Sequence, residues 1–171
     1  VKLEVQHRDR VALVGRNGAG KSTLLKIIAG QMSYDSGDII MPKDVKLGYL
    51  EQHSGIDSEL SIWDEMMTIF EPLKNMEQSI RNLEAKMADE AVYSNPDAYD
   101  RVVKEYDQLQ HDFKAAGGYQ YEAETRSVLH GMQFYQEMWQ QPIQSLSGGQ
   151  RTRLALAKLL LSKPDLLILD E

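Results

Sequence analysis

The stretch that decides the fold is GRNGAGKS, residues Gly15 to Ser22, which follows the apolar run VALV and precedes a segment with helical periodicity. It matches the pattern G-x-x-x-x-G-K-[ST] in the strand-to-helix context that this motif requires. Glycines at positions 15, 18 and 20 let the backbone curl, so that successive N–H groups point at one anion. The helix N-terminus adds a partial positive charge. The stretch therefore predicts a loop that holds the phosphates of a nucleoside triphosphate.

Two side chains of this loop have separate predicted roles. Lys21 supplies a point charge for the β and γ phosphates, and Ser22 supplies a hydroxyl oxygen to Mg²⁺. The alternative is a glycine-rich turn with a lysine by chance, which four fixed positions make rare in a chain of 171 residues. The other predicted nucleotide-binding residues of the loop are Gly15, Arg16, Asn17, Gly18, Ala19, Gly20 and Thr23.

The chain ends in LLILDE, an apolar run followed by Asp170 and Glu171. A buried parallel strand presents its ligands at its carboxyl end. Asp170 is therefore the predicted partner of Mg²⁺, through the water shell of the metal. Glu171 lies one residue further on and can orient or deprotonate an attacking water. The alternative is an idle, solvated pair of acids.

A second glycine-containing loop, LSGGQ, precedes a helical segment at residues 146–150. Ser147 can cap this helix and donate to a phosphate, while Gly148 and Gly149 allow close backbone approach. The loop has no lysine, so by itself it should bind a triphosphate weakly. The alternative is a helix start that is only well capped.

In that order, the motifs GRNGAGKST, GYLEQ, LSGGQ and LLILDE resemble the nucleotide-binding domain of ABC ATPases. The resemblance implies an α/β P-loop NTPase fold, with a RecA-like core and an ABC-type helical subdomain. It implies ATP and Mg²⁺ as cofactors, and hydrolysis of ATP to ADP and phosphate only when a second ABC domain is paired with this one. It identifies Gln52 as the residue that contacts the metal and couples the ATP site to movement. The residues that it implies contact the ATP of the partner domain are Ser147, Gly148, Gly149 and Gln150.

The middle of the chain has a different periodicity. Apolar residues recur with the spacing of paired helices, at Met76, Ile80, Leu83 and Met87 and then at Tyr99, Val102, Tyr106, Leu109 and Phe113. Asn95 and Pro96 predict the start of the second helix. We therefore predict an antiparallel helical hairpin at about 64–115, inside a helical insertion at 53–143. Residues 1–52 and 144–171 then form a split ATP-binding core.

Several shorter segments predict strands of a parallel sheet. They are VKLEV at 1–5, VALVG at 11–15, YDSGDII at 34–40, DVKLGYL at 44–50 and LLILD at 166–170. The chain opens without Met inside a strand pattern and stops in an apolar run, so we expect both ends of the core to be truncated. The helix after LSGGQ is expected to be core, through Leu154, Leu156, Leu159, Leu160 and Leu161.

A narrower resemblance is to the ABC-F subfamily, whose members lack membrane domains and act on the ribosome. Gln52 and Ser147 are 95 positions apart, which is longer than transporter domains usually allow, and the excess is similar to the arm of ABC-F proteins. The segment FKAAGGYQYEAETRSVLHGM also resembles the sequences of that subfamily. The resemblance implies the first of two ATPase domains in a cytoplasmic protein, with no membrane subunit and with ribosomal RNA, ribosomal proteins or tRNA as partners.

Charge and composition leave alternatives open. The net charge is −7 and there are no cysteines, which argues against broad non-specific nucleic-acid binding and against disulfides or cysteine-based metal sites. The segment from Asp64 to Lys114 has 12 acidic and 6 basic residues, whereas an arm that grips RNA should be basic. The competing predictions are the ATPase subunit of a transporter, an ABC ATPase of DNA repair with a longer coiled coil, and a hairpin that only stabilises the fold.

Overall fold

A computed structural model describes residues 1–51 and 55–170, so that Gln52, His53, Ser54 and Glu171 lie outside the described residues. The chain divides into two compact units, residues 1–52 with 164–171 and residues 53–163. The helices are α1 (Lys21–Ile28), α2 (Ile62–Met67), α3 (Glu71–Met87), α4 (Glu90–Tyr93), α5 (Pro96–Ala115), α6 (Tyr121–Gly131) and α7 (Gly148–Leu161). The strands are β1 (Leu47–Leu50) and β2 (Leu166–Leu169), and short 3₁₀ turns cover Thr68–Phe70, Gln136–Met138 and Ile143–Ser145.

The first unit contains a two-stranded parallel sheet and α1. Strand β1 pairs with β2 in a register that places Leu47 opposite Leu166 and Leu50 opposite Leu169. The backbone N–H of Asp170 donates to the carbonyl of Leu50 at 2.9 Å, which continues the pairing one residue beyond β2. This bond fixes the direction of the chain at the carboxyl edge of the sheet, where the sequence predicts a metal ligand.

Three of the predicted strands are wrong for this structure. Residues 1–5, 11–15 and 34–40 have extended or irregular backbone, and the described residues contain only β1 and β2. A parallel strand is stable only when a neighbour on at least one side satisfies its backbone groups and its apolar side chains are covered. In this structure β1 and β2 pair with each other and not with any of these three segments. The side chain of Val14, in one of the segments, is 94% exposed. The apolar side chains of α1 are only half-buried: Leu24, Leu25, Ile27 and Ile28.

The second unit contains the continuous apolar core. The fully buried side chains come from α2, α6, α7 and the turns between them: Ile62, Met66, Leu129, Phe134, Ile143 and Leu154. An antiparallel bridge between Ser61 and Pro142, with Trp63 N–H donating to the Trp139 carbonyl at 2.9 Å, closes one end of this unit. The two indole rings stack there, with centroids 5.1 Å apart.

Helices α3 and α5 pack along each other within the second unit. The side chain of Asn95 accepts from Ala98 N–H and Pro96 is the first residue of α5, as the sequence predicted. Ile80, Leu83 and Phe113 are buried in the seam. Beyond them, the Tyr106 hydroxyl donates to Glu84 Oε1 at 3.2 Å. Tyr99, also expected in the seam, is exposed.

Helix α7 belongs to the second unit in this structure, whereas the sequence places residues 144–171 with the ATP-binding core. That domain assignment stays a prediction. Leu154, Ala157 and Leu161 of α7 are buried, but Leu160 is exposed, so the expectation that it belongs to the core is wrong. Residue 160 falls on the outward face because buried positions recur every three or four residues. Within the described residues, no helix combines the length and apolarity that crossing a membrane requires.

Candidate functional site

The predicted phosphate loop has the backbone conformation that its glycines allow. Gly18 and Gly20 have φ of +83° and +89°, in the left-handed region that residues with a Cβ rarely adopt. Gly20 occupies the N-cap position of α1, so no capping side chain competes for the first N–H groups of the helix. The N–H of Ala19 donates to the Arg16 carbonyl at 3.1 Å and tightens the turn. The free donors at the start of α1 are what an anion would bind.

The ammonium group of Lys21 lies over this loop. Its Nζ donates to the carbonyl of Gly15 at 2.6 Å and to that of Arg16 at 3.1 Å. Both acceptors belong to the loop itself, so the positive charge is held on the same side as the turn. The predicted role of Lys21, as a positive charge for the β and γ phosphates, requires the ammonium group to lie over the loop in this way.

Ser22 and Asp170 are brought together from opposite ends of the chain. The Ser22 hydroxyl donates to Asp170 Oδ1 at 3.0 Å, across 148 positions of sequence. A hydroxyl and a carboxylate are hard oxygen donors of the kind that Mg²⁺ prefers, and Mg²⁺ normally completes its octahedron with water and phosphate oxygens. The described residues contain no group of three or more His, Cys, Asp or Glu side chains that could hold a metal ion. The donor set fits Mg²⁺ held with a nucleotide.

Tyr49 is a residue of this site that the sequence analysis missed. Its hydroxyl lies 3.4 Å from Asp170 Oδ2, which it faces as a donor. Burial raises the pKa of Tyr49, and the negative charges of Asp170 and Glu51 raise it further, so the phenol stays neutral. The strand register, which the sequence alone does not provide, explains the contact, because Tyr49 pairs with Ile168 and side chains two residues apart on a strand share a face. Asp170 therefore had to point to the side of Tyr49.

An ion pair on the same unit joins α1 to the residue after β1. Lys26 Nζ lies 2.5 Å from Glu51 Oε1. The hydrogen bond to Glu51, together with the charge of that carboxylate, raises the pKa of Lys26. Both side chains are well exposed to solvent, so the pair contributes little to stability. Its consequence is positional, since it ties the helix that begins at the phosphate loop to the strand beside Asp170.

The LSGGQ turn is a complete capping box. The Ser147 side chain accepts from the Gln150 N–H at 3.3 Å, and Gln150 Oε1 accepts from the Ser147 N–H at 2.9 Å. This reciprocal arrangement satisfies two backbone donors and fixes the first residue of α7. The structure therefore confirms Ser147 as the N-cap. Both side chains have partners within their own turn, and their contacts with a nucleotide stay predictions.

Neither packing nor backbone conformation within the described residues requires glycine at the two glycine positions of this turn. A Cβ built on Gly148 or on Gly149 meets no described atom within 4 Å. Neither residue has a positive φ. Glycine in a helix costs about 0.5–1 kcal/mol relative to alanine. Something other than the packing of the described residues must therefore account for the pair.

The predicted site residues are divided between the two units. Lys21, Ser22 and Asp170 lie in the first unit, with the remaining loop residues from Gly15 to Thr23 around them. Ser147, Gly148, Gly149 and Gln150 lie in the second unit. Gln52 and Glu171 fall outside the described residues, and their roles stay predictions.

A glycine loop that opens a helix, with its lysine over the loop and its serine bonded to an acid at the end of a parallel strand, defines a P-loop nucleotide-binding domain. The family model described as ABC transporter matches residues 1–171, and the chain therefore belongs to this family as an ATP-binding ABC domain. Its relatives include members of the ABC-F group.

Three relatives illustrate this. YdiF of Bacillus subtilis (strain 168) is 60% identical over 171 residues, which is all of this chain and 26% of YdiF. ABC transporter F family member 5 of Arabidopsis thaliana is 35% identical over 172 residues, which covers all of this chain and 25% of that protein. Energy-dependent translational throttle protein EttA of Escherichia coli (strain K12) is 33% identical over 163 residues, covering 95% of this chain and 28% of EttA. The chain spans about a quarter of the length of these relatives.

Proposed function

We propose that this chain is the first ATPase domain of an ABC-F-type protein, which hydrolyses ATP to drive closure of two paired ABC domains on the ribosome. The observation that carries the proposal is the Ser22–Asp170 bond at 3.0 Å, beside a loop that holds the Lys21 charge. It joins the two halves of an ATP site in one unit. The ribosomal part of the proposal rests on the relatives, above all on the name of EttA, the translational throttle protein.

Within the site, each residue has a defined task. The N–H groups from Gly15 to Ser22 hold the phosphates, and Lys21 exchanges its loop carbonyls for the β and γ oxygens. Ser22 and Asp170, with Gln52 by resemblance, hold the cation. Mg²⁺, when bound, neutralises charge on the β and γ phosphates. Tyr49 keeps one carboxylate oxygen of Asp170 oriented, and Glu171 orients the attacking water.

The LSGGQ turn contributes to the ATP of the partner domain. Gly148 and Gly149 present bare backbone at the N-terminus of a helix of 14 residues, where an anion is favoured. Because no described atom occupies the space of their missing Cβ atoms, close approach of a partner accounts for the glycines. Ser147 and Gln150 release their capping bonds or share them with the γ-phosphate. The turn then completes a site whose phosphate loop belongs to the second domain.

The length of the relatives leaves room for that second domain. The chain is about a quarter of each of them, so a second ABC domain and a linker are proposed for the rest of the protein. The packed helices α3 and α5 are proposed as the ABC-F arm. Because the segment 64–114 is acidic, we expect the arm to contact a basic ribosomal protein surface rather than bare RNA. The protein is proposed to be cytoplasmic and without a membrane subunit.

Ribosome co-sedimentation of the full-length protein tests this function. The Glu171→Gln variant with ATP should pellet with ribosomes, because loss of the base holds the closed, ATP-bound state. The arm is removed in a second variant by replacing residues 81–108 with a short Gly-Ser turn, which removes Leu83 of the seam but keeps the buried Ile80 and Phe113 and the half-buried Leu109. This second variant should lose most of the binding.

The outcomes separate the alternatives. Full binding without the arm means that α3 and α5 only stabilise the fold. Absence of ribosome binding by both variants contradicts the ribosomal role. Co-purification with membrane subunits would instead favour the ATPase subunit of a transporter.

A further inference from the structure

A cavity of about 430 Å³ lies at the root of the helical pair α3 and α5, where α5 turns into α6. Its walls come from the middle of α3, the end of α5, the turn at residues 116–120 and the first half of α6. All of these segments belong to the second unit. The volume is within the range of about 300–1,000 Å³ that pockets for small molecules have. The cavity is therefore large enough for a small ligand or for one long side chain of a partner.

An exposed tyrosine forms part of the cavity wall. The rings of Tyr119 and Phe113 meet at 87°, with centroids 5.1 Å apart. Phe113 is buried and lies against the backbone of Gly118, where a Cβ would overlap its ring. Tyr119 is nevertheless 61% exposed, so the described residues leave much of its side chain uncovered. These contacts hold in place an aromatic surface that a ligand can cover.

Acidic side chains outnumber basic ones in the lining. The carboxylates are those of Glu77, Glu84 and Glu122, and the cations are Arg81 and Arg126. Arg81 Nη2 lies 2.8 Å from Glu77 Oε1, and Arg126 Nη2 lies 3.0 Å from Glu122 Oε2, each along its own helix. The net charge of the lining is therefore negative, and Glu84 is the acid that takes no part in these two ion pairs.

A chain of neutral hydrogen bonds orients Glu84. Gln110 Nε2 donates to the Tyr106 hydroxyl at 2.6 Å, and that hydroxyl donates to Glu84 Oε1 at 3.2 Å. Burial raises the pKa of Tyr106, and the hydrogen bond to Glu84 raises it further, so the phenol stays a neutral donor. Neutral donors fix the direction of the carboxylate without cancelling its charge. Glu84 is therefore preorganised to bind a cation.

Tyr121 reports the sign of the charge within the cavity. The side chain is buried in the wall, and burial raises its pKa. The negative charges of Glu122 and Glu77 raise the pKa of Tyr121 further, although each of these acids is paired with an arginine. The acids therefore dominate the potential at this ring, and a cation is favoured beside it.

We propose that the cavity binds the guanidinium group of an arginine that a basic protein partner presents. The carboxylate of Glu84 accepts from the guanidinium, and the ring of Tyr119 covers its flat face. A guanidinium suits this pair better than a lysine ammonium does, because its planar fork matches a carboxylate and its face stacks on aromatic rings. The inference deepens the proposed function and rests on it for the ribosomal origin of the partner.

The charges in the cavity argue against an anionic occupant. A phosphate would have to break the ion pair of Arg81 or of Arg126 to gain a cation, and it would face Glu84. The wider segment favours the same sign of ligand, since residues 64–114 have 12 acidic and 6 basic side chains. A partner with exposed arginines therefore complements both the cavity and the segment that builds most of it.

The test measures binding of a fluorescein-labelled arginine–glycine peptide to the full-length protein, by fluorescence anisotropy at physiological ionic strength. Glu84→Gln removes the charge but keeps an oxygen for Tyr106, and it should weaken the affinity for the peptide about fivefold or more. Tyr119→Ala should weaken the affinity about threefold or more. Glu105→Gln is the matched control, because it removes an exposed acid of α5 that does not line the cavity. It should change the affinity less than about twofold.

The same peptide with citrulline in place of arginine controls for the charge of the ligand. Citrulline keeps the shape of the side chain without its charge, so this peptide should bind about tenfold more weakly or worse. Equal binding of the two peptides would overturn the proposal, and so would a loss from Glu84→Gln no larger than that from Glu105→Gln. Tighter binding of a single-stranded RNA oligonucleotide than of the arginine peptide would also overturn it. If Tyr119→Ala does not fold, Glu84→Gln alone decides.

Ribosome co-sedimentation separates the cavity from the proposed function. In the Glu171→Gln protein with ATP, the further change Glu84→Gln should reduce the fraction that pellets with ribosomes, whereas Glu105→Gln should not. Pelleting that Glu84→Gln leaves unchanged would overturn the ribosomal origin of the partner. If the Glu171→Gln protein does not pellet at all, the proposed function fails, while peptide binding still decides whether the cavity holds an arginine.

Discussion

At the residue scale, the ATP site depends on a few polar atoms that distant parts of the chain supply. Lys21 is held by the carbonyls of Gly15 and Arg16, and Ser22 is held by Asp170. Each partner is an oxygen that a phosphate or a hydrated cation can replace without leaving a buried group unpaired. The loop therefore keeps its shape without nucleotide and can exchange partners when nucleotide binds.

Replacement of Lys21 by alanine tests the phosphate loop. The variant loses charge-assisted hydrogen bonds to the β and γ phosphates, each worth about 1.5–3 kcal/mol. The dissociation constant of Mg·ATP should rise about 10- to 100-fold in calorimetric titration of the full-length protein. Lys43→Ala removes one positive charge from an exposed position in the same unit and should change affinity less than twofold. Equal affinities for the two variants would remove Lys21 from the site.

The sequence predicted these residues to different degrees. Lys21, Ser22 and Asp170 could be named because their motifs carry fixed spacings that follow from phosphate and metal chemistry. Tyr49 could not, because its role depends on which strand lies beside it in space. Tyr49 became predictable only with the register of β1 against β2.

At the scale of elements, α2 and α7 are joined by an ion pair whose acid is nearly buried and whose lysine is partly exposed. Glu65 is 7% exposed, and its Oε1 accepts from Lys158 Nζ at 2.7 Å. Burial by itself would raise the pKa of Glu65, but hydrogen bonds from Lys158 and Ser58 outweigh it and hold the pKa below the ordinary value of 4.5. The folded state therefore favours the charged carboxylate. The pair fixes the position of α7 along α2.

Glu65→Gln should destabilise the protein in a pH-dependent way. A buried ion pair broken on one side costs about 3–5 kcal/mol, and partial exposure of Lys158 reduces this to about 1–2 kcal/mol. Because the folded pKa of Glu65 is lowered, its contribution is complete above about pH 4.5 and disappears as pH falls through the folded pKa. Thermal unfolding at pH 7 should therefore show the loss, and unfolding near pH 3 should show a smaller one.

A matched substitution controls for the loss of charge. Glu122→Gln removes an exposed acid that pairs with Arg126 along α6 at 3.0 Å. Such pairs contribute about 0.5 kcal/mol or less, so this variant should be nearly as stable as the unmodified protein. If Glu122→Gln lost as much stability as Glu65→Gln, the Glu65–Lys158 pair would contribute no more than an exposed ion pair.

The elements that sequence predicted well have local causes. Asn95 and Pro96 set the start of α5, and Ser147 with Gln150 sets the start of α7, within four residues in each case. The strand predictions failed at 1–5, 11–15 and 34–40 because a strand depends on a neighbour elsewhere in the chain. Residues 11–15 do have the apolar composition of a buried strand. The side chains of Val11 and Val14 are nevertheless exposed in this structure.

At the scale of the whole molecule, the two glycine-containing loops belong to different units. The phosphate loop, with Lys21 and Ser22, lies in the unit of residues 1–52 and 164–171, while Ser147 to Gln150 lie in the unit of residues 53–163. The relatives are about four times as long as this chain. The proposal that the LSGGQ turn completes the ATP site of a second domain rests on these facts and on the unexplained pair of glycines.

The measurement that tests this claim most directly is the stability and ATP turnover of full-length Gly149→Ala. The added methyl group meets no described atom within 4 Å, and alanine favours a helix by about 0.5–1 kcal/mol, so the variant should unfold at an equal or higher temperature. Its affinity for Mg·ATP should stay within about twofold, since Lys21 and Ser22 are intact. Turnover should nevertheless fall about tenfold or more, because the methyl group blocks close approach of the partner's γ-phosphate. Turnover equal to that of the unmodified protein would contradict the account.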